Sequence, residues 1–152
     1  MKVDAHNAWP NDSGTHLITT EETQNKTVKI WDISNLNDIT LSSEYLGENG
    51  LAHNVHVKSN LIYISHYTTG LKIVDIYFPE YPIEVAAFDT YPENDEGGFY
   101  GCWGAYPFTN NGLIYASDMQ HGLFVFNFDE IRGGIIEGYI YLNNTLPLSN
   151  AT

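Results

Sequence analysis

Three stretches of this chain can be laid over one another, and that self-similarity limits the fold more than any single residue does. They are "AHNAWPNDSGTHLITTEETQNKTVKIWDIS" from Ala5, "AHNVHVKSNLIYISHYTTGLKIVDIYF" from Ala52 and "CWGAYPFTNNGLIYASDMQHGLFVFNFD" from Cys102. His6, His53 and Trp103 take matching places, at intervals of 47 and 50 residues. Further along each unit, "VKIWDI", "LKIVDI" and "LFVFNF" match as well.

The second unit shows what each repeat is made of. Strand a is expected at about 54–58, b at 61–66, c at 71–76 and d at 83–90. "LIYISHY" and "LKIVDI" are rich in β-branched and aromatic residues, which suit a pleated, half-buried surface. "KSN", "TTG" and "YFPEYP" supply the turns between them. No long stretch has a helical period, and "FDEIRGG" allows one helical turn at most. A period near 50 residues built from short antiparallel strands predicts an all-β fold, a β-propeller fragment of about three four-stranded blades.

Charge narrows the partners. Six basic residues face nineteen acidic ones in 152, a net charge of −13. No basic face can be assembled from Lys2, Lys26, Lys29, Lys58, Lys72 and Arg132, so nucleic acid is excluded as a partner and anionic membrane surfaces are disfavoured. No apolar run approaches twenty residues, so membrane insertion is not expected. Cys102 is the single cysteine and cannot form an intrachain disulfide. The opening "MKVDAHNAWPNDSG" has no apolar signal core.

Several motifs then fall into a familiar order: "HNAW" at 6–9, "HNVHV" at 53–57, "YISHYTTGLKIVDI" at 63–76, "AAFDTYP" at 86–92, "CWGAYPF" at 102–108 and "SDMQHGLFVF" at 117–126. Together they resemble the LVIVD-repeat (choice-of-anchor B) family of extracellular bacterial β-propellers. The resemblance covers residues 5 to about 128 and implies a propeller in an exported, surface-attached protein, its export signal lying outside this chain. It implies no reaction. The chain departs from the family in number, because three blades do not close a ring that usually takes four to eight. A polypeptide segment completing the propeller, from the same longer chain or from a partner, is therefore expected to cover its open edges. Blades are assigned to 1–132. The remainder, "GGIIEGYIYLNNTLPLSNAT" at 133–152, resembles the opening strand of a carboxypeptidase-regulatory-like β-sandwich.

Candidate chemistry gathers at one rim. In a blade, the start of strand a and the end of strand b lie at the same end. His6 and His53 begin strand a, and Trp103 takes that place in the third unit. Glu22, His66 and Asp118 close strand b in units one, two and three. Imidazole with carboxylate is a ligand set for zinc, copper or iron, so His6, Glu22, His53 and His66 are candidate metal ligands. Trp103 and Asp118 are candidate ligand-binding rim residues. A structural reading competes: a His-Asn pair repeated in each blade can satisfy backbone groups where one blade hands over to the next. His56 points to the face opposite Val55 and Val57 and is expected solvated or packed, and His16 and His121 are expected exposed in turns. Glu93, Asp95 and Glu96 form an oxygen-rich loop of the sort that binds calcium, or simply a solvated one. Asp32 and Asp75 read as turn caps after strand c. The aromatics of "YGCWGAYPF" read first as plugs for the interblade core and second as a binding platform.

There is no nucleophile elbow or other catalytic constellation in the sequence. Two function classes remain. One is a non-catalytic secreted or cell-surface propeller that engages protein or glycan, or serves structural display. The other is a metal-dependent enzyme with a His/Glu site at the channel rim, using zinc, copper or calcium.

Overall fold

A computed structural model describes residues 5–94, 96–129 and 133–135, and the backbone of 141–142 and 146–147. Among these residues there are strands and turns and no helix. The first blade is β1 (Asn7–Pro10), β2 (His16–Thr20), β3 (Val28–Asp32) and β4 (Thr40–Tyr45), paired in that order. The second is β5 (Asn54–Lys58), β6 (Leu61–Ser65), β7 (Leu71–Asp75) and β8 (Ile83–Phe88), again in sequence order. The third has β9 (Cys102–Tyr106), β10 (Ile114–Asp118) and β11 (Gly122–Phe126), three strands among the described residues where four were expected. All neighbouring strands are antiparallel. The innermost strands lie side by side, β1 against β5 and β5 against β9. This is the arrangement of adjacent blades around a propeller axis.

The strand positions read from the second unit hold to within two residues. Blades one and two share a β-bulge in the c–d pair, at Ile30/Trp31 and at Ile73/Val74. Asp32 Oδ1 accepts from the Ser34 N–H at 2.8 Å and Asp75 Oδ1 from the Tyr77 N–H at 2.7 Å, the turn-capping job expected of both. The b–c turn of blade two ends on Gly70 at φ +78°; a Cβ there would lie 2.0 Å from the Phe88 carbonyl oxygen. Only glycine fits that approach.

Alternation along the middle blade divides the core in two. Val55, Val57, Ile62, Ile64, Val74 and Ile76 pack against Ile18, Val28 and Ile30 of blade one. Leu61, Tyr63, Leu71 and Ile73 pack on the other side against Ala105 and Ile114 of blade three. Each aliphatic side chain fully removed from water contributes about 1.5–3 kcal/mol, so the seams hold the blades together. The third blade corrects the expectation for "YGCWGAYPF". Gly101, Cys102, Ala105 and Pro107 are buried and Phe108 is half-buried against Trp9 and His56, while Tyr100, Trp103 and Tyr106 are exposed. Small residues face the seam because the larger Tyr63, Leu71 and Ile73 already fill it from the other side.

At the C-terminal end only a short ladder is described, β12 (Tyr141–Leu142) paired with β13 (Leu146–Pro147). Of the sandwich expected over 133–152, residues 136–140, 143–145 and 148–152 lie outside the described residues, as do residues 130–132 at the centre of "FDEIRGG", where a single helical turn was allowed.

Candidate functional site

His6 and His53 stand just before the inner strands of blades one and two. Each backbone N–H donates to the last residue of strand b, His6 to Thr20 at 2.8 Å and His53 to Ser65 at 2.9 Å. This pairing fixes the register of the residues just after strand b. Glu21 is equivalent to His66, and Glu22 to Tyr67. The repeat alignment, which puts Glu22 opposite His66, is therefore one position off. The b–c turn is the reason: it runs 21–27 in blade one and 66–70 in blade two, so the two turns differ by two residues.

His6, Glu22 and His53 converge. His6 Nδ1 lies 3.2 Å from Glu22 Oε2, and His53 Nε2 lies 3.8 Å from Glu22 Oε1. One ligand atom from each residue falls within 4.8 Å of the others. The imidazole rings sit 4.7 Å apart, centroid to centroid. His53 is buried, Glu22 half-buried and His6 exposed, so the group opens to solvent on the His6 side. The Tyr67 hydroxyl donates a short hydrogen bond to Glu22 Oε1. Tyr67 holds that pose at φ +47°, with its N–H and carbonyl both bonded to Cys102. Such a backbone is costly for a non-glycine residue and persists only where its surroundings hold it.

A bulge in blade three completes the arrangement. In the β9–β10 pair, Ser117 is opposite Gly104 and Asp118 opposite Cys102, leaving Trp103 as the extra residue. Bulges of this kind re-aim a side chain and free its backbone from the ladder. The Trp103 indole stacks on His53 at 5.0 Å, and its carbonyl oxygen lies 2.5 Å from His53 Nδ1. A carbonyl can only accept, so Nδ1 carries the proton and neutral His53 keeps its lone pair on Nε2, toward Glu22. Burial holds the His53 imidazole below its ordinary pKa; the Trp103 carbonyl and Glu22 pull it back up, and His6 pushes it down.

The other candidates lie elsewhere. His66 is not part of this group: it is buried, its Nδ1 pairs with Thr69 Oγ1 at 2.7 Å, and a Cβ on Gly47 would meet its Nε2 at 2.7 Å. Asp118 is fully engaged as a buried turn cap. It accepts from Thr90 Oγ1 at 2.7 Å and from the Gln120 and His121 N–H groups at 2.8 Å. Glu93 pairs with His121 at 3.0 Å, and Glu96 donates its N–H to Asn94 Oδ1; Asp95 lies outside the described residues. His56 packs between Trp9 and Phe108. His16 is the first residue of β2, not a turn residue. The backbone task expected of the His-Asn pair is carried in blade one by the asparagine, whose Oδ1 accepts from the Val55 N–H at 3.0 Å. Burial pushes the Cys102 thiol up to about 12, so it is inert at neutral pH.

Sequence reasoning missed Tyr67 and Phe99. Phe99 is exposed and meets Tyr67 edge-on at 5.4 Å. No local signal marks either one, because both act across a blade boundary.

Comparison with known proteins agrees with the blade architecture. Residues 49–90 match the LVIVD repeat. No curated protein matches the chain. Among solved structures, the computationally designed Ika4 protein shares the fold, with a TM-score of 0.59 at 13% identity over 84% of this chain and 68% of that one. This is an all-β chain of propeller-type blades, and its second blade is similar to the LVIVD repeat.

Proposed function

We propose that the chain is a non-catalytic interaction module of a secreted or cell-surface protein, and that its rim is the surface that engages a protein or glycan partner. The observation that carries this reading is the exposure of two large aromatic rings beside the rim. Phe99 is 61% and Trp103 52% exposed, yet both are held in place, by Tyr67 and by His53. Rigid aromatic rings presented this way supply contact area at little entropic cost. A second reading of the same rim is metal chemistry, favoured by the convergence of His6, Glu22 and His53.

The open side of blade three supports a covering segment. Tyr115, Leu123 and Val125 are exposed, and each stands 52 residues after a seam residue of blade two: Tyr63, Leu71 and Ile73. A further blade, from a longer chain or a second copy, fits a face of that composition.

The rim reading is tested by retention on immobilised glycans and on candidate surface proteins, comparing the parent with a Phe99→Ala, Trp103→Ala double variant. Loss of at least about tenfold in affinity with an unchanged melting temperature is expected for exposed anchor residues. Equal retention by the variant overturns the reading.

A further inference from the structure

We propose that His6, Glu22 and His53 form a site for a divalent transition-metal ion, of the zinc type, that clasps blades one and two at the rim. The site adjoins the partner surface but does not depend on its occupancy, since none of the three ligands is Phe99 or Trp103.

Geometry is the first support. Tetrahedral zinc holds nitrogen and oxygen donors about 2.0–2.2 Å away, so two ligand atoms on one ion lie about 3.4 Å apart. The two imidazole–carboxylate separations here are 3.2 Å to Glu22 Oε2 and 3.8 Å to Glu22 Oε1, and one donor from each residue lies within 4.8 Å of the others, so binding an ion would draw the three together by about an ångström. The donors span two blades: His6 and Glu22 come from blade one and His53 from blade two. They are two imidazoles and a carboxylate, which suits zinc or copper better than calcium, an ion that takes six to eight oxygens.

The surroundings are the second support. Ligating histidines ordinarily donate their other nitrogen to a carbonyl or carboxylate, which sets the tautomer and the ring's aim. His53 does this through Nδ1 to the Trp103 carbonyl, made free by the bulge. Its Nε2 lone pair and the Glu22 Oε1 lone pairs then face one another at 3.8 Å, too long for a hydrogen bond. Two acceptors held face to face repel unless a cation lies between them. Glu22 is itself oriented by the Tyr67 hydroxyl. A structural ion pair would need only His6 and Glu22; it would not need a buried imidazole turned the same way by a blade-three carbonyl.

Three protein ligands leave a fourth position on the exposed side of His6, where water or a partner's donor group completes the tetrahedron.

The test uses the whole chain, stripped with chelator and titrated by calorimetry with Zn²⁺, with Ca²⁺ as the contrast and Co²⁺ as a spectroscopic probe. One Zn²⁺ per chain, no comparable Ca²⁺ binding, strong visible absorption from tetrahedral Co²⁺ and a melting temperature raised by Zn²⁺ are expected. His6→Ala and Glu22→Gln leave the apolar core of the blade seams untouched and should each weaken Zn²⁺ binding by more than roughly tenfold, while Tyr67→Phe, which keeps the ring and removes only the hydroxyl that orients Glu22, should weaken it by about tenfold. Circular dichroism confirms that the variants fold. His53→Ala is avoided because His53 is buried in the seam. Absence of Zn²⁺ binding by the parent, or equal binding by His6→Ala and Glu22→Gln, overturns the proposal. Loss of Zn²⁺ binding with partner retention intact would leave the rim reading standing, so the two failures are distinguishable.

Discussion

His66 makes the stability of this fold sensitive to mild acid. Its imidazole is buried at 2% exposure between the b–c turn of blade two and the segment that ends blade one. Burial first, and then the Lys72 ammonium, lower its pKa from 6.5 to about 4, against a smaller opposing pull from its own backbone. In the unfolded chain it titrates near 6.5. Between these two values the unfolded state binds more protons than the folded one, so stability falls as pH falls through that window and is unaffected by this group above it. A shift of that size is worth roughly 3 kcal/mol in full, of which roughly 2 kcal/mol is lost between about pH 7 and about pH 5. Urea unfolding at those two pH values, in the parent and in His66→Gln, isolates the effect. Burial also lowers the pKa values of His53 and His56, with the same sign, but they are present in both proteins and cancel in the difference. Glutamine can still bond Thr69 and takes up no proton. The parent should lose roughly 2 kcal/mol more than the variant on acidification. Equal losses would refute the reasoning, as would an NMR titration in which the parent's His66 protonates near 6.5.

Gly70→Ala should destabilise by at least about 1–3 kcal/mol, read as a lowered urea midpoint, because the left-handed φ and the 2.0 Å approach to the Phe88 carbonyl exclude a Cβ. Asp118→Ala should cost roughly 2–3 kcal/mol, since it leaves the buried Thr90 hydroxyl and two turn N–H groups unpaired; the same midpoint should shift while Zn²⁺ affinity does not. Leu123→Lys with Val125→Lys should suppress self-association in light scattering with stability changed by less than about 0.5 kcal/mol per site, because these side chains face outward from blade three.

The alternation and turn chemistry of one unit are visible in its residues. They are enough for strands at about 54–58, 61–66, 71–76 and 83–90, which the structure matches to within two residues, for the caps at Asp32 and Asp75, and for the blade class. These features depend on neighbours close in sequence. The rim is legible in part: propeller geometry puts the start of strand a and the end of strand b together, which gathers His6, His53, Trp103, Glu22, His66 and Asp118, and of these the structure brings His6, Glu22 and His53 within reach of one another while His66 and Asp118 are engaged elsewhere. The register of Glu22 is not legible, because it depends on a turn whose length differs between blades.

What the sequence by itself determined is therefore the strand period, the turns and the repeat, all set by side-chain alternation and local backbone preference. Tertiary structure alone decided which residues meet across blades. The repeat places His53 and His66 at the same rim, yet His66 is sealed beneath Gly47 and His53 faces Glu22. Trp103 stands where the other two units have a histidine, but a one-residue bulge turned its indole outward onto His53 and gave its carbonyl to that ring. Such contacts join residues about 45–50 positions apart, as in Tyr67 with Glu22 and His53 with Trp103. They depend on how two sheets dock and on turn lengths that differ between units, and neither quantity is encoded in the pattern of a single blade.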